Sequence, residues 1–314
     1  MATAANSPPD ARNLGVFRKL LSEGLGRFFV TVCAGIIILI TLLMIFFVAY
    51  KGIAAFRGPE ALSVSEVLFN ATWAPWPTGM DGQPSFGILI FLVGSLLVSG
   101  LAVLFAAPLA VAAAIFTTEI APHLGERYLR PALEMFTGVP SVVYGWVGLT
   151  VLVPFIRNYV GGLGFSLLAG SIVVAVMILP SIATLTIDAL KALPNSFKEG
   201  SLALGATRWQ TIRHVLVPAA GLRIGTAITL GLARALGEAL AVQMVIGNSI
   251  QFPRSLLHGT STLTSIMTMD MSNTLFGSLW NNVLWTMAFL LLCLTLLLVV
   301  LIRRMGGTQK RGVR

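Results

Sequence analysis

The sequence predicts an all-α, polytopic membrane protein with six transmembrane helices, and three observations carry that prediction. Of the 314 residues, 56% are apolar and only 11% are charged, against about 25% charged in ordinary soluble domains. A mean hydropathy of +0.88 leaves too little polar material to cover a body of 33.4 kDa in water. The apolar residues also gather into long uncharged runs, each near the roughly 20 residues a helix needs to cross a bilayer. The formal charge of +9 then reads as a topology signal. A nucleic-acid footprint would need a folded polar domain to carry the basic residues, and none is visible.

Residues 1–27 are polar, include Ser7-Pro8-Pro9 and carry Arg12, Arg18, Lys19 and Arg27. They read as a cytoplasmic tail, disordered at first and helical near the membrane. The uncharged run 28–50, bounded by Arg27 and Lys51, reads as the first transmembrane helix. No small-residue cleavage pattern follows it, which separates it from a signal peptide. The extracytoplasmic loop 51–85 contains Trp73, Pro75, Trp76, Pro77 and Gly79; tryptophans at a span boundary read as headgroup anchors. Residues 82–118 are uncharged and read as one long helix, Phe86 to Thr117, tilted or kinked at Pro108.

Further spans are expected at Pro131 to Ile156, Ser166 to Leu190, Ala219 to Ile246 and Phe276 to Ile302. Residues 86–302 thus form a core of five transmembrane helices, followed by a cytoplasmic tail, 303–314. With both termini inside, sixteen Lys and Arg face the cytoplasm, while Lys51, Arg57, Arg157 and Arg254 lie outside and Arg234 falls within a span. Splitting 82–118 into two helices gives fourteen against six, so the sharper asymmetry selects six spans.

Cys33 and Cys293 each sit in an apolar run, as small hydrophobes. His123, His214 and His258 show no i, i+4 pair and no cysteine neighbour, so neither a metal site nor a cofactor is expected. There is no Gly-x4-Gly-Lys-Ser/Thr loop, no His-Glu-x-x-His and no set of nucleophile, base and orienter. The chain is therefore expected to carry no enzymatic activity of its own.

The inner loop 191–218 is the unusual region. Pro194 with Asn195 or Ser196 can end one helix and cap the next. From Phe197 the apolar positions 197, 202, 204, 206, 209 and 212 fit a short amphipathic helix broken near Gly205. Pro218 is expected at the start of the fifth span, where its missing N–H costs nothing. Such a helix, joined rigidly to two spans, can act as a lever or lie as a plain interfacial helix.

Here the sequence resembles the permease subunits of binding-protein-dependent ABC importers. Their signature is Glu-Ala-Ala, three residues, Gly, nine residues, then Ile-x-Leu-Pro. Glu199-Gly200-Ser201, Gly205 and Val215-Leu216-Val217-Pro218 match that spacing throughout. Both alanines are replaced by small residues, and the Ile and Leu by valines. The resemblance implies a type I ABC importer permease fold, with residues 196–210 as a coupling helix docked on an ATPase. It assigns that contact to Glu199, Gly205, Ala206, Arg208 and Trp209; physically, Gly205 permits a sharp bend and a close approach of two backbones.

A narrower resemblance covers most of the chain from Phe86 onward. Thr137-Gly-Val-Pro-Ser-Val-Val-Tyr-Gly145, Leu204-Gly-Ala-Thr-Arg-Trp209, Arg234-Ala-Leu-Gly-Glu238 and Met244-Val-Ile-Gly-Asn248 are similar to the PstC-like permeases of phosphate-specific transport (Pst) importers. This implies an ATP-driven phosphate importer in the cytoplasmic membrane of a prokaryote. The implied partners are a second permease of the PstA-like kind, an ATPase dimer, an extracytoplasmic phosphate-binding protein and membrane lipid, with no nucleic acid.

Arg234 stands out on physical grounds as well. It lies 11 residues beyond Arg223, which at about 1.5 Å per residue is about 16 Å into a core about 30 Å thick. An ionised residue there costs at least about 2.5 to 3.5 kcal/mol unless a cavity or partner receives it. Glu238, four residues on, falls on the same face of an unbroken helix and can offset that burial. Two readings stay open: a structural ion pair between helices, or an arginine facing the substrate path, gripping a phosphate oxyanion while Glu238 tempers it. Gly221, Gly225, Gly231, Ala235, Gly237, Ala239 and Ala241 predict a central, buried fifth span. Gly138, Pro140, Gly145 and Gly148 make the third span irregular, so these two spans are expected to flank the path, with Ser141 and Tyr144 lining it. Glu134 reads as a solvated end. A permease for sulfate or molybdate and an ion-coupled secondary transporter remain as alternatives, although no repeat of fixed period supports the latter.

Overall fold

The computed structural model describes residues 11–57, 61–76 and 84–309, with side chains described for 26–57, 61–76 and 84–300. Residues 1–10 and 310–314 of the expected tails, and Pro77 and Gly79 of the loop, lie outside the described residues. The helices are α1 (Ala11–Gly52), α2 (Val64–Phe69), α3 (Leu89–Ile115), α4 (Pro122–Leu124), α5 (Arg130–Thr137), α6 (Ser141–Val147) and α7 (Val153–Phe155). They continue with α8 (Leu167–Lys191), α9 (Asn195–Ala203), α10 (Arg208–Thr211), α11 (Val217–Gly237), α12 (Leu240–Val245), α13 (Leu263–Asp270) and α14 (Leu279–Gln309). Strands β1 (Trp73–Ala74) and β2 (Ser85–Phe86) pair antiparallel, Trp73 opposite Phe86.

Among the described residues, six helical runs are long and apolar enough to cross a membrane: Gly26–Phe56, Leu89–Ile120, Ser141–Val160, Leu167–Lys191, Arg208–Gly237 and Leu279–Val300. The chain divides into two compact units, Met1–Lys51 and Gly52–Arg314. In the first, helix is already present at Ala11, earlier than the polar composition of the tail suggests.

Two spans differ from the sequence expectation. The third begins at Ser141 rather than Pro131, because Gly138 closes α5 and Pro140 holds an extended ψ of 140° before α6 starts. The fifth runs from Arg208 and stops at Gly237, where Glu238 turns extended (φ −73°, ψ 124°) and α12 follows as a separate piece. Pro218 therefore sits inside a continuous helical run and not at its start. A widened helical turn precedes several of the prolines. Segments Phe116–Ile120, Gly125–Leu129, Gly148–Leu152, Ile156–Val160 and Ile212–Leu216 are π-helical. Four of the five end two residues before a proline, at Pro122, Pro131, Pro154 and Pro218. A proline lacks the N–H and its ring crowds the carbonyl one turn back; before Pro131, Pro154 and Pro218 a widened turn relieves that crowding without ending the helix, whereas before Pro122 the helix stops at Ile120.

The core of the second unit is organised on α8, the most buried span, rather than on the fifth span. Val98, Ala102, Ala106, Ala110 and Ala114 recur every fourth residue on α3 and are all buried. That ridge of small side chains lets α3 lie close along α8, whose Val174, Ile178, Ile182 and Ile187 fill the same cluster. At the end opposite α9, a second cluster joins Val67, Trp73, Phe86, Phe91, Leu263, Leu284 and Met287. Trp73 is 8% exposed and meets Phe86 and Phe91 edge to face, so it is a core residue and not a headgroup anchor. Trp76 remains exposed and sets its ring against Trp280.

Candidate functional site

On α11 the exposed residues Arg223, Thr226, Leu230, Arg234 and Gly237 recur every three or four positions and form one open stripe. A Cβ at Gly237 would meet nothing within 4 Å among the described residues. The small residues of the fifth span thus divide between two faces: Gly221 and Gly237 are exposed, whereas Ala220, Ala227, Ala235 and Gly231, whose Cβ would lie 2.6 Å from Ile182 Cδ1, pack inward.

Arg234 stands in the last turn of α11, where the negative end of the helix dipole favours a cation. Its Nη1 donates to Ser181 Oγ on α8 at 2.7 Å. Tyr144 on α6 lies within electrostatic reach of the guanidinium, and its hydroxyl donates to the Phe136 carbonyl at 2.7 Å. Ser141 opens α6 one turn away. The structure thus bonds Arg234 to Ser181, which no motif in the sequence marks, and bonds the Tyr144 hydroxyl elsewhere.

The expected Arg234–Glu238 ion pair does not form. The helix breaks between them, so i, i+4 spacing no longer places the two side chains on one face. Glu238 Oε1 instead accepts the Ala241 N–H at 3.1 Å, capping α12, while the Glu238 carbonyl accepts Thr264 Oγ1–H at 2.7 Å. The two charges serve opposite sides of one break: the cation at a helix C-terminus, the anion at a helix N-terminus.

The inner segment is built differently. No residue of α9 is buried; Glu199 is exposed, while Lys198 and Ser201 are half-buried. Pro194 precedes the helix without a side-chain cap, so neither Asn195 nor Ser196 serves as one. Gly205 takes φ +82° and has open space around its Cβ position. Its role is the left-handed bend; no backbone approaches it closely among the described residues. Ala206 donates its N–H to the Ser201 carbonyl across that bend. Thr207 and Gln210 then form a reciprocal cap that starts α10 at Arg208. The bend leaves Leu204 90% and Trp209 59% exposed, beside the exposed Phe197 and Leu202 of α9.

Residues 108–313 match the family described as binding-protein-dependent transport system inner membrane component. The chain belongs to that family. The permease is 50% identical, over 92% of its length and 93% of the relative's, to the probable ABC transporter permease protein YqgH of Bacillus subtilis. It is 33% identical, over 71% of its length and 76% of the relative's, to the phosphate transport system permease protein PstC of Haemophilus influenzae. Among solved structures, an inward-facing methionine ABC transporter, MetNI, matches with a TM-score of 0.54 at 22% identity, covering 69% of the permease and 93% of that chain. The fold is accordingly that of a type I ABC importer permease.

Two further features of the permease carry no motif. Lys198 on α9 donates to Glu119 Oε2 at 2.6 Å, and Glu119, at the end of the second span, is only 14% exposed. Ser201 and Thr211 are hydrogen bonded at 3.0 Å, so α9 is fastened to the second span and to the base of the fifth. Beside it, Arg130 bonds Glu134 at 3.0 Å and Asp188 at 3.3 Å. The Glu134 hydrogen bond raises the Arg130 guanidinium above its ordinary pKa; partial burial opposes that, and the charges of Asp188 and Glu126 add to it. Glu134 is thus exposed yet paired. At the opposite end, the loop after α12 and the segment just before the fourth span line a half-open cavity of about 550 Å³.

Proposed function

We propose that this permease moves inorganic phosphate inward across the cytoplasmic membrane, driven by ATP hydrolysis in a separate ATPase dimer. One observation carries the reading: Arg234, in the last turn of a membrane-spanning run and ahead of the break at Glu238, stands on an open stripe with Ser181 as its hydrogen-bond partner. An arginine within such a run does not face lipid. The stripe is therefore covered by a second permease of the PstA-like kind, and the guanidinium faces the path between the two permeases. Its remaining donors suit a tetrahedral oxyanion, and Tyr144 and Ser141 line the approach. The similarity to PstC selects phosphate.

The α9 end is cytoplasmic in this reading, as are both termini. Glu199, Gly205, Ala206, Arg208 and Trp209 form the ATPase contact, with Leu204 and Trp209 as its apolar anchors. An extracytoplasmic binding protein delivers the substrate to the other end. Glu238 acts on the path through α12, as the cap that holds the helix break in place.

The test is uptake of radiolabelled phosphate into proteoliposomes containing both permeases and the ATPase, with phosphate-loaded binding protein outside. Uptake should require ATP and all components, and Arg234→Gln should reduce it by about 100-fold while the assembly still copurifies. Uptake by this chain alone under an ion gradient, or transport of sulfate or molybdate in place of phosphate, would overturn the reading.

A further inference from the structure

The run Pro122–Thr137 forms an elbow between the second and third spans, held at its root by packing and along its length by charge. Leu133 is buried in the main core cluster, and a Cβ at Gly125 would stand 2.5 Å from Thr117 Cα, so the elbow is pressed onto the end of the second span. A row of charged residues, Glu126, Arg130 and Glu134, recurs every fourth position and meets the foot of α8. Arg130 bonds Glu134 at 3.0 Å and Asp188 at 3.3 Å and stands 3.7 Å from Glu126, which pairs in turn with Lys191. One guanidinium thus serves three carboxylates. A single exposed ion pair contributes little. Removing Arg130, however, would leave Glu126, Glu134 and Asp188 together with Lys191 as the cluster's remaining cation, and like charges would drive the elbow and α8 apart.

Both ends of this clamp lead to functional elements. Asp188 and Lys191 lie in the last turn of α8, and only Ala192, Leu193 and Pro194 separate that turn from α9. At the far end of the elbow, α5 stops at the Gly138–Pro140 joint, and the Tyr144 hydroxyl on α6 donates across it to the Phe136 carbonyl at 2.7 Å. α6 in turn rests on α12. A Cβ at Gly145 would stand 2.9 Å from Ala241 Cα, and Ala241 is the residue whose N–H Glu238 Oε1 accepts at the helix break. Each link from the foot of α8 to that break is therefore an ion pair, a hydrogen bond or a contact too close to admit a side-chain carbon.

We propose that Arg130 is a positioning residue for transport: it clamps the elbow to the foot of α8, so that a tilt imposed on α9 is carried through α5 and α6 to the helix break that follows Arg234. The inference rests on the functional reading above, in which the ATPase moves α9. The route is distinct from the Lys198–Glu119 pair, which ties α9 to the second span.

The test measures ATP hydrolysed per phosphate transported, in proteoliposomes holding both permeases and the ATPase with phosphate-loaded binding protein outside. Arg130→Gln should raise that ratio at least about threefold while the ATPase still copurifies. Arg130→Lys, which keeps a charge among the three carboxylates, should stay within about twofold of the wild type. Asp188→Asn, an exposed position that loses only the link to α8, should raise the ratio about twofold and serves where Arg130→Gln does not assemble. Tyr144→Phe removes a bond farther along the same route, so combining it with Arg130→Gln should raise the ratio no further than the larger single effect. An unchanged ratio in either assembled variant of the clamp, or effects that multiply in the double variant, overturns the route and leaves the functional reading standing. A wild type without ATP-dependent uptake overturns the functional reading and the route together.

Discussion

Arg234 Nη1 reaches across from α11 to Ser181 Oγ on α8 at 2.7 Å, joining residues 53 positions apart. The serine follows Pro180 in the middle of the most buried span, so it is a fixed point from which the guanidinium is held. Ser181→Ala leaves the charge but frees its direction. Losing one hydrogen bond to a charged group costs about 1.5 kcal/mol at the low end suited to an exposed pair. Phosphate uptake should fall by roughly tenfold, while the assembly keeps its thermal unfolding midpoint. Unchanged uptake would show that Ser181 does not position the arginine.

Lys198 and Glu119 predict a coupling defect. Exchanging them, as Lys198→Glu with Glu119→Lys, keeps the attraction and reverses its sense. Each single substitution should raise the ATP hydrolysed per phosphate transported about two- to fivefold, in line with a pair of about 1 kcal/mol that is partly screened. The double substitution should recover most of the loss. Simultaneous measurement of ATP turnover and phosphate uptake reads this, and additive defects in the double variant would count against a fastening role.

Gly145 is a packing position with a sharp expectation. A Cβ there would stand 2.8 Å from Met244 Sδ and 2.9 Å from Ala241 Cα. The methionine tip can swing aside, but the α12 backbone cannot. Gly145→Ala should destabilise the permease by about 1 to 3 kcal/mol, seen as a lower unfolding midpoint in detergent. Gly237→Ala, with open space around it, should leave the isolated chain unchanged and weaken copurification of the second permease.

Asp270 gives a pH dependence outside the spans. Burial pushes its carboxyl above the ordinary carboxylate range, and the indoles of Trp73 and Trp280 oppose the shift. The folded state therefore holds the proton more tightly than the unfolded chain. Stability contributed by this group is complete below the unfolded pKa and is lost as pH rises through the folded one. Asp270→Asn should flatten that part of the stability profile in the acid range and should not destabilise at neutral pH. A midpoint measured across about pH 3 to 7 decides it.

Much of this was legible in the residues. Uncharged runs gave six spans because lipid tolerates no other composition, and Gly205 marked the bend before α10 because few other residues take a φ of +82°. Arg234 was conspicuous as a lone cation in an apolar run. The break after Gly237 was not legible: no proline marks it, and Glu238 adopts its extended backbone where tertiary bonds from Ala241 and Thr264 can receive it. That break is what separates Arg234 from Glu238. Small residues signalled close packing on the fifth span and were not read as a signal on α3, where the packing is in fact tighter. On α3 the alanine ridge meets α8, whereas on α11 much of the same composition faces outward, a distinction that composition alone does not make. Trp73 likewise looked interfacial until β1 folded it against Phe86 and Phe91.

The widened turns have a consequence for numbering a helix. Each π turn inserts one residue relative to regular α-helical winding, which rotates everything beyond it by about 100°. A helical wheel drawn from Arg208 straight through to Gly237 therefore assigns Arg234 to the wrong side, because Ile212–Leu216 intervenes. The bearing of the arginine is fixed some twenty residues upstream, by a backbone irregularity at the foot of the span. Removing a single residue from that turn would swing the charge away from its open stripe without altering any side chain near it.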